Sequence, residues 1–227
     1  MSDALLEAIQ SRDVDRVAKL LAAGADPNEP GKSRYGRGGN LPPLHAAIGE
    51  LEAFEAIGSD APVPEGPIDS VVLLLRHGAR ASGWNISKEG DPLLDAVLGN
   101  HIEAVQLLLA AGADPNVSDG EGTSPLRVCA DKGYLEMARL LLLCGATRTI
   151  EEWGGGRPMT ALGFAARGLH VDLVKLLLAH GADPQGKNVD DLTPLDCLEF
   201  VDSPEDPADQ ERLREIRRLL GDPSASC

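Results

Sequence analysis

The chain has 227 residues, 43% of them hydrophobic, which is the balance of a folded globular protein. Its formal charge of −15 repels nucleic acid and anionic lipid and speeds encounter with a basic partner, and no apolar run approaches the roughly 20 residues that span a bilayer. Aromatics make up only 3% of the residues, too few large rings to fill a β-sandwich, so the composition points to layers of helices.

The first predicted helix starts after Ser2-Asp3, a capping pair ahead of Leu5, Leu6 and Ile9, with Glu7, Arg12, Asp13 and Arg16 free to face water. A second helix closes on Gly24-Ala25-Asp26-Pro27. The segment Gly31 to Asn40 follows, carrying Lys32, Arg34 and Arg37 and no acid. Within it Gly31-Lys32-Ser33 ends like a phosphate-binding loop. That motif needs a glycine where Asp26 stands, and it follows a strand, whereas this segment follows a helix, so nucleotide binding is not expected. Pro43-Leu44-His45 opens the next helix. An insertion rich in Pro, Gly and acid, Gly58 to Pro67, separates it from a partner helix that ends at Gly78-Ala79. From Glu50 to Asp69 the carboxylates are Glu50, Glu52, Glu55, Asp60, Glu65 and Asp69, with no base among them.

Two markers then recur together. Asp91-Pro92-Leu93, Ser124-Pro125-Leu126, Thr160-Ala161-Leu162 and Thr193-Pro194-Leu195 open first helices, because Thr or Ser just before proline caps a helix and proline at its first position loses no hydrogen bond. Ile102 to Leu109 and Val171 to Leu178 place apolar residues at helical spacing and read as second helices. Gly-Ala pairs at 112, 145 and 181 end them, the glycine taking the left-handed conformation at the cap. With those at 24 and 78, the pairs are spaced 54, 34, 33 and 36 residues apart. In the last segment Ser203 to Pro207 delays a final helix, Ala208 to Leu220.

On these residues the chain resembles the ankyrin family, whose period is near 33 residues; the best match runs from Gly122-Thr123-Ser124-Pro125-Leu126 to Gly145-Ala146. The resemblance implies an all-α fold, an ankyrin-repeat solenoid of about six helix-turn-helix units with projecting hairpin-like loops. The units fall at 1–28, 29–82, 83–116, 117–149, 150–185 and 186–221, giving one domain over 1–221 with polar outer faces and a tail at 222–227. The family's histidine after Pro-Leu stands only at His45. Leu94, Arg127, Gly163 and Asp196 replace it, which removes the basis for that residue's bonding between repeats in those units.

No catalytic constellation emerges. His45, His77, His101, His170 and His180 occupy repeat positions without a nucleophile beside them. Cys129, Cys144, Cys197 and Cys227 show no metal spacing, and the first three read as free thiols of a reducing cytoplasm, so no metal and no cofactor is expected. Asn85-Ile86-Ser87 matches a glycosylation acceptor without a secretory signal and reads as chance.

The resemblance further implies that a partner binds at the loop tips and on the exposed side of each first helix, which together line a concave surface. The loop-tip positions are Arg34, Tyr35, Arg37, Trp84, Asn85, Ser118, Asp119, Glu121, Trp153, Asp190 and Asp191. Those on first helices are Gln10, Ser11, Gly49, Glu50, Leu98, Gly99, Asp131, Lys132 and Arg167. Tyr35, Trp84 and Trp153 are of the residue types that dominate interfaces; the alternative is that each ring folds back and stiffens its own loop. The implied function is a non-catalytic, cytoplasmic protein-protein interaction module, monomeric alone, whose narrower role is neutralising or escorting a basic enzyme. A two-site scaffold using the insertion, and an enzyme with a site in the groove, are the alternatives.

Overall fold

The computed structural model describes residues 1–32, 40–51, 67–82, 90–154, 159–188, 190–200 and 206–222. Its contacts divide the chain into an N-terminal half, Met1–Asp114, and a C-terminal half, Pro115–Cys227.

In the N-terminal half the described helices are α1 (Ser2–Gln10), α2 (Val14–Ala22), α3 (Pro43–Gly49), α4 (Asp69–Arg76), α5 (Pro92–Leu98) and α6 (Ile102–Ala110). They pair in sequence as helix-turn-helix units; α3 packs between α1 and α5, and α2 packs on α4. An antiparallel ribbon, β1 (Gly31–Lys32) against β2 (Asn40–Leu41), forms the base of the basic loop, with Gly31 opposite Leu41. Asp3 ties it to α1 by accepting the Lys32 N–H at 2.9 Å.

The C-terminal half repeats the scheme with α7 (Pro125–Lys132), α8 (Leu135–Leu143), α9 (Ala161–Arg167) and α10 (Val171–Ala179), then a 3-10 turn at Asp196–Phe200 and α11 (Pro207–Leu219). There α9 packs between α7 and the 3-10 turn, and α10 between α8 and α11. The sixth first helix is thus a 3-10 turn. Its Asp196 carboxylate accepts both the N–H and the hydroxyl of Thr193, each at 2.7 Å, and tightens the opening turn.

First helices of seven or eight residues are too short to persist alone, so packing holds them. Leu5, Leu6, Ile9, Leu44, Ile48, Leu74, Leu93 and Leu108 are fully buried in the first half, and Leu126, Met137, Leu141 and Leu162 in the second. Each such side chain contributes about 1.5–3 kcal/mol.

Helix ends explain the markers. Gly24, Gly78, Gly112, Gly145 and Gly181 all have φ between 88° and 93°. In each case the following alanine donates its N–H to the carbonyl of a leucine five residues back, as Ala113 does to Leu108 at 2.9 Å. That geometry also buries the alanine, which accounts for the Gly-Ala pair. The final helix closes the same way at Gly221-Asp222, where Asp222 donates to Arg217 O at 2.9 Å. Helix starts are more varied: Asp91 accepts the N–H of Leu93 and Leu94, and Thr160 that of Gly163. Ser124, expected as a cap, makes no such bond.

Successive units are also tied by side chains. Asn28 donates to Gly78 O at 2.9 Å and accepts the Arg80 N–H at 2.8 Å. Asn116 does the same with Gly145 O and the Arg148 N–H, both at 2.9 Å. Gln185, at the equivalent position, donates to Leu220 O at 3.3 Å. The insertion Gly58 to Pro67, apart from Pro67, lies outside the described residues.

Candidate functional site

The loop before α7 is closed by Asp119. Its Oδ1 accepts the N–H of Glu121 at 2.9 Å and of Thr123 at 2.7 Å, while its own N–H donates to Thr123 O at 3.1 Å. Asn188 closes the loop before the 3-10 turn in the same manner, through the N–H groups of Asp190 and Leu192. One carboxylate oxygen of Asp119, an expected contact residue, thus belongs to its own turn. Asp190 is exposed at the rim of the equivalent turn.

Arg127 corrects the expectation drawn from the missing histidine. It stands where the family places that residue, and it still bonds between repeats: one guanidinium nitrogen donates to Gly122 O, the other to Gly154 O at 3.0 Å. The guanidinium lies 5.3 Å from the centre of the Phe164 ring, and the residue is only 5% exposed. Burial pulls its pKa below the ordinary arginine value, opposed by the carboxylates of Glu152, Asp119 and Asp131. Backbone contact completes the junction. A Cβ added to Gly154 would sit 2.5 Å from Glu121 O, and one on Gly122 3.0 Å from Trp153 O. Residues 121–122 and 153–154 are therefore locked together, with Glu121 exposed and Trp153 45% exposed.

Other expected contact residues scatter over the two halves. Leu98 is 48% exposed at the end of α5, close in sequence to exposed Ile102. Lys132 and Arg167 are exposed and Asp131 half-buried, with the Lys132 ammonium 4.0 Å from the Asp131 carboxylate. Glu50, expected on an open helix side, is buried: it follows α3 directly, and Arg12 in the turn between α1 and α2 reaches it at 3.2 Å. Arg34, Tyr35, Arg37, Trp84 and Asn85 lie outside the described residues.

A shallow groove of about 360 Å³ opens in the C-terminal half between the α7–α8 turn, the α9–α10 turn and α11, lined by Gly133, Leu135, Leu169, His170, Asp172 and Arg212 among others. His170 fills its floor so closely that a Cβ on Gly133 or Gly168 would come within 2.7 Å of the ring. Burial holds its pKa below the usual histidine value, Asp131 opposing and Arg212 reinforcing that shift. Among the described residues that line the groove, none pairs a nucleophile with a base.

Among the described residues no group of His, Cys, Asp or Glu is placed to hold a metal ion, and no helix is long and apolar enough to cross a membrane. Cys129 and Cys197 are buried free thiols, and burial pushes Cys129 up to about 12, far from a reactive thiolate. Sequence reasoning missed Asn28, Asn116 and Arg127 as links between units. The two asparagines were findable, since each ends the string Gly-Ala-Asp-Pro-Asn.

A family profile described as "Ankyrin repeats (3 copies)" matches residues 63–152 and 126–198. The chain is 35% identical over 113 residues to alpha-latroinsectotoxin-Lt1a of Latrodectus tredecimguttatus, covering 48% of this chain and 8% of that protein. It is 40% identical over 123 residues to the ankyrin repeat and KH domain-containing protein mask-1 of Caenorhabditis elegans, covering 53% of this chain and 4% of that one. The chain thus spans a small fraction of those relatives. The crystal structure of an ankyrin repeat domain from Acinetobacter baumannii AYE superposes with a TM-score of 0.71 over 95% of each chain at 22% identity, a likeness of fold.

Proposed function

The chain belongs to the ankyrin-repeat family, and on that premise we propose that it binds a basic protein partner through its loop tips and the exposed sides of its first helices, without catalysing a reaction. Ankyrin repeats are generally protein-protein interaction modules. The observation that carries the reading is the division of labour among side chains. Buried leucines, the Gly-Ala caps and the asparagine links are committed to stacking, whereas Glu121, Trp153, Lys132, Arg167 and Asp190 stand exposed on loops and first helices. The charge of −15 selects a basic surface opposite. Neutralising or escorting a basic enzyme is the narrower role that fits this charge, with residues 1–221 acting as one monomeric domain in a reducing, cytoplasmic setting; the buried free thiols suit that setting.

The test is affinity purification of the tagged chain from its native cell, with mass spectrometry of proteins retained stoichiometrically. A dominant basic protein supports the reading, and assaying that protein in a saturated complex decides neutralisation, since an enzyme left fully active rules it out. Recovery of an acidic partner, or of none, counts against the reading itself.

A further inference from the structure

We propose that the stapled pair of loops in the C-terminal half is a receptor for an arginine or lysine side chain of the partner, the cation lying on the Trp153 indole with the Glu121 carboxylate beside it. This rests on the binding function proposed above and names its recognition element.

Three observations converge. Trp153 is 45% exposed, whereas Phe164, whose ring already faces the Arg127 guanidinium, is 7% exposed. An exposed indole face attracts a cation more strongly than any other side-chain ring. The second observation is rigidity. Arg127 donates to Gly122 O and Gly154 O, Asp119 closes the loop that carries Glu121, and backbone contact at Gly122 and Gly154 leaves no room for even a methyl group between the loops. A platform held in this way loses little conformational entropy when a ligand docks. The third is charge. Segments 115–123 and 149–154 hold Asp119, Glu121, Glu151 and Glu152 and no lysine or arginine, the nearest flanking bases in sequence being Arg148 and Arg157, while Arg127, which joins the two loops, is buried beneath them with its bonds directed at their carbonyls. An incoming cation therefore meets exposed carboxylates and an exposed ring, and no exposed base from these two segments.

The alternative, that Trp153 only stiffens its loop, is weakened by Arg127, which already performs that task from below. Glu151 faces a different duty: its Oε1 accepts the Asp183 N–H at 2.8 Å, so Glu121 is the carboxylate left to pair with the guest.

The test uses the full chain carrying Trp84→Phe, so that Trp153 alone reports by fluorescence, titrated with a nona-arginine peptide at near-physiological salt. A saturable change in Trp153 emission is expected. Trp153→Leu, followed by calorimetry, and Glu121→Gln should each weaken binding roughly three- to tenfold, the range of a cation on an aromatic face. Glu136→Gln and Glu211→Gln, exposed carboxylates on α8 and α11, should leave it unchanged. Equal weakening by all the carboxylate variants, or no emission change while the peptide binds, would overturn the proposal in favour of diffuse attraction by net charge. Retention of a natural partner by Trp153→Leu as strongly as by the unmodified chain would overturn it while leaving the binding function standing. Failure of the unmodified chain to retain any partner would remove both.

Discussion

Arg127 joins two loops that are 32 residues apart in sequence, counting from Gly122 to Gly154, and no local pattern announces this. Replacing it with alanine leaves two loop carbonyls without their charged donor, and the loss of stability should be about 1–3 kcal/mol in urea denaturation. Asp91 poses a different question. It caps α5 through two backbone N–H groups, yet burial, only partly offset by those bonds, raises its pKa above the usual carboxylate value. With the folded value raised, the fold favours the protonated acid, and that contribution is lost as pH rises through the folded pKa. Asp91→Asn keeps the cap and never ionises. The variant should therefore be more stable than the parent at neutral pH, with the gap in denaturation midpoint closing as the pH is lowered into the acid range. Glu50 and Asp119 show why contact residues were harder to read than the core. An acidic residue in a loop or after a helix looks solvent-facing until the fold brings Arg12, or the turn's own N–H groups, to it.

At the scale of elements, the Gly-Ala pairs and the Pro-Leu starts foretold the helix pairs, because each marker answers a local need: a left-handed cap or a proline-tolerant first turn. Where the need was met by another residue, the signal faded. The last helix ends with the same geometry on Gly221-Asp222, where aspartate replaces alanine, and the sixth first helix tightens into a 3-10 turn around Asp196. The links between units are long-range and went unread, although their strings were plain. Asn116→Ala removes one donor and one acceptor from the junction with Gly145 and Arg148, and should cost roughly 1–2 kcal/mol. Asn28→Ala, at the matching junction in the other half, should cost a similar amount; thermal denaturation of the two variants checks both.

For the whole molecule, the formal charge of −15 sets two opposite dependences on salt. Like charges repel one another in the folded chain, so raising sodium chloride from a few millimolar to about 0.15 M should raise the Tm as the screening length falls to near 8 Å. Affinity for a basic partner should fall over the same range, chiefly through slower association. A stability that drops with added salt would mean that the paired charges, such as Lys175 with Glu215 at 2.8 Å, outweigh the repulsion. Charge was legible from composition alone. The faces that carry it were not, because exposure depends on which side chains the stacking consumes.

The asparagine and glutamine links all run one way: Asn28, Asn116 and Gln185 each reach forward, to the end of the unit that follows. On the ribosome this order matters. At about 5–20 residues per second, a repeat takes seconds to emerge, whereas a helix forms in about a microsecond. Each earlier repeat has thus emerged, its amide at hand, before the carbonyl it will hold has been synthesised, and the link closes as the next repeat packs against it and completes the burial that neither achieves alone.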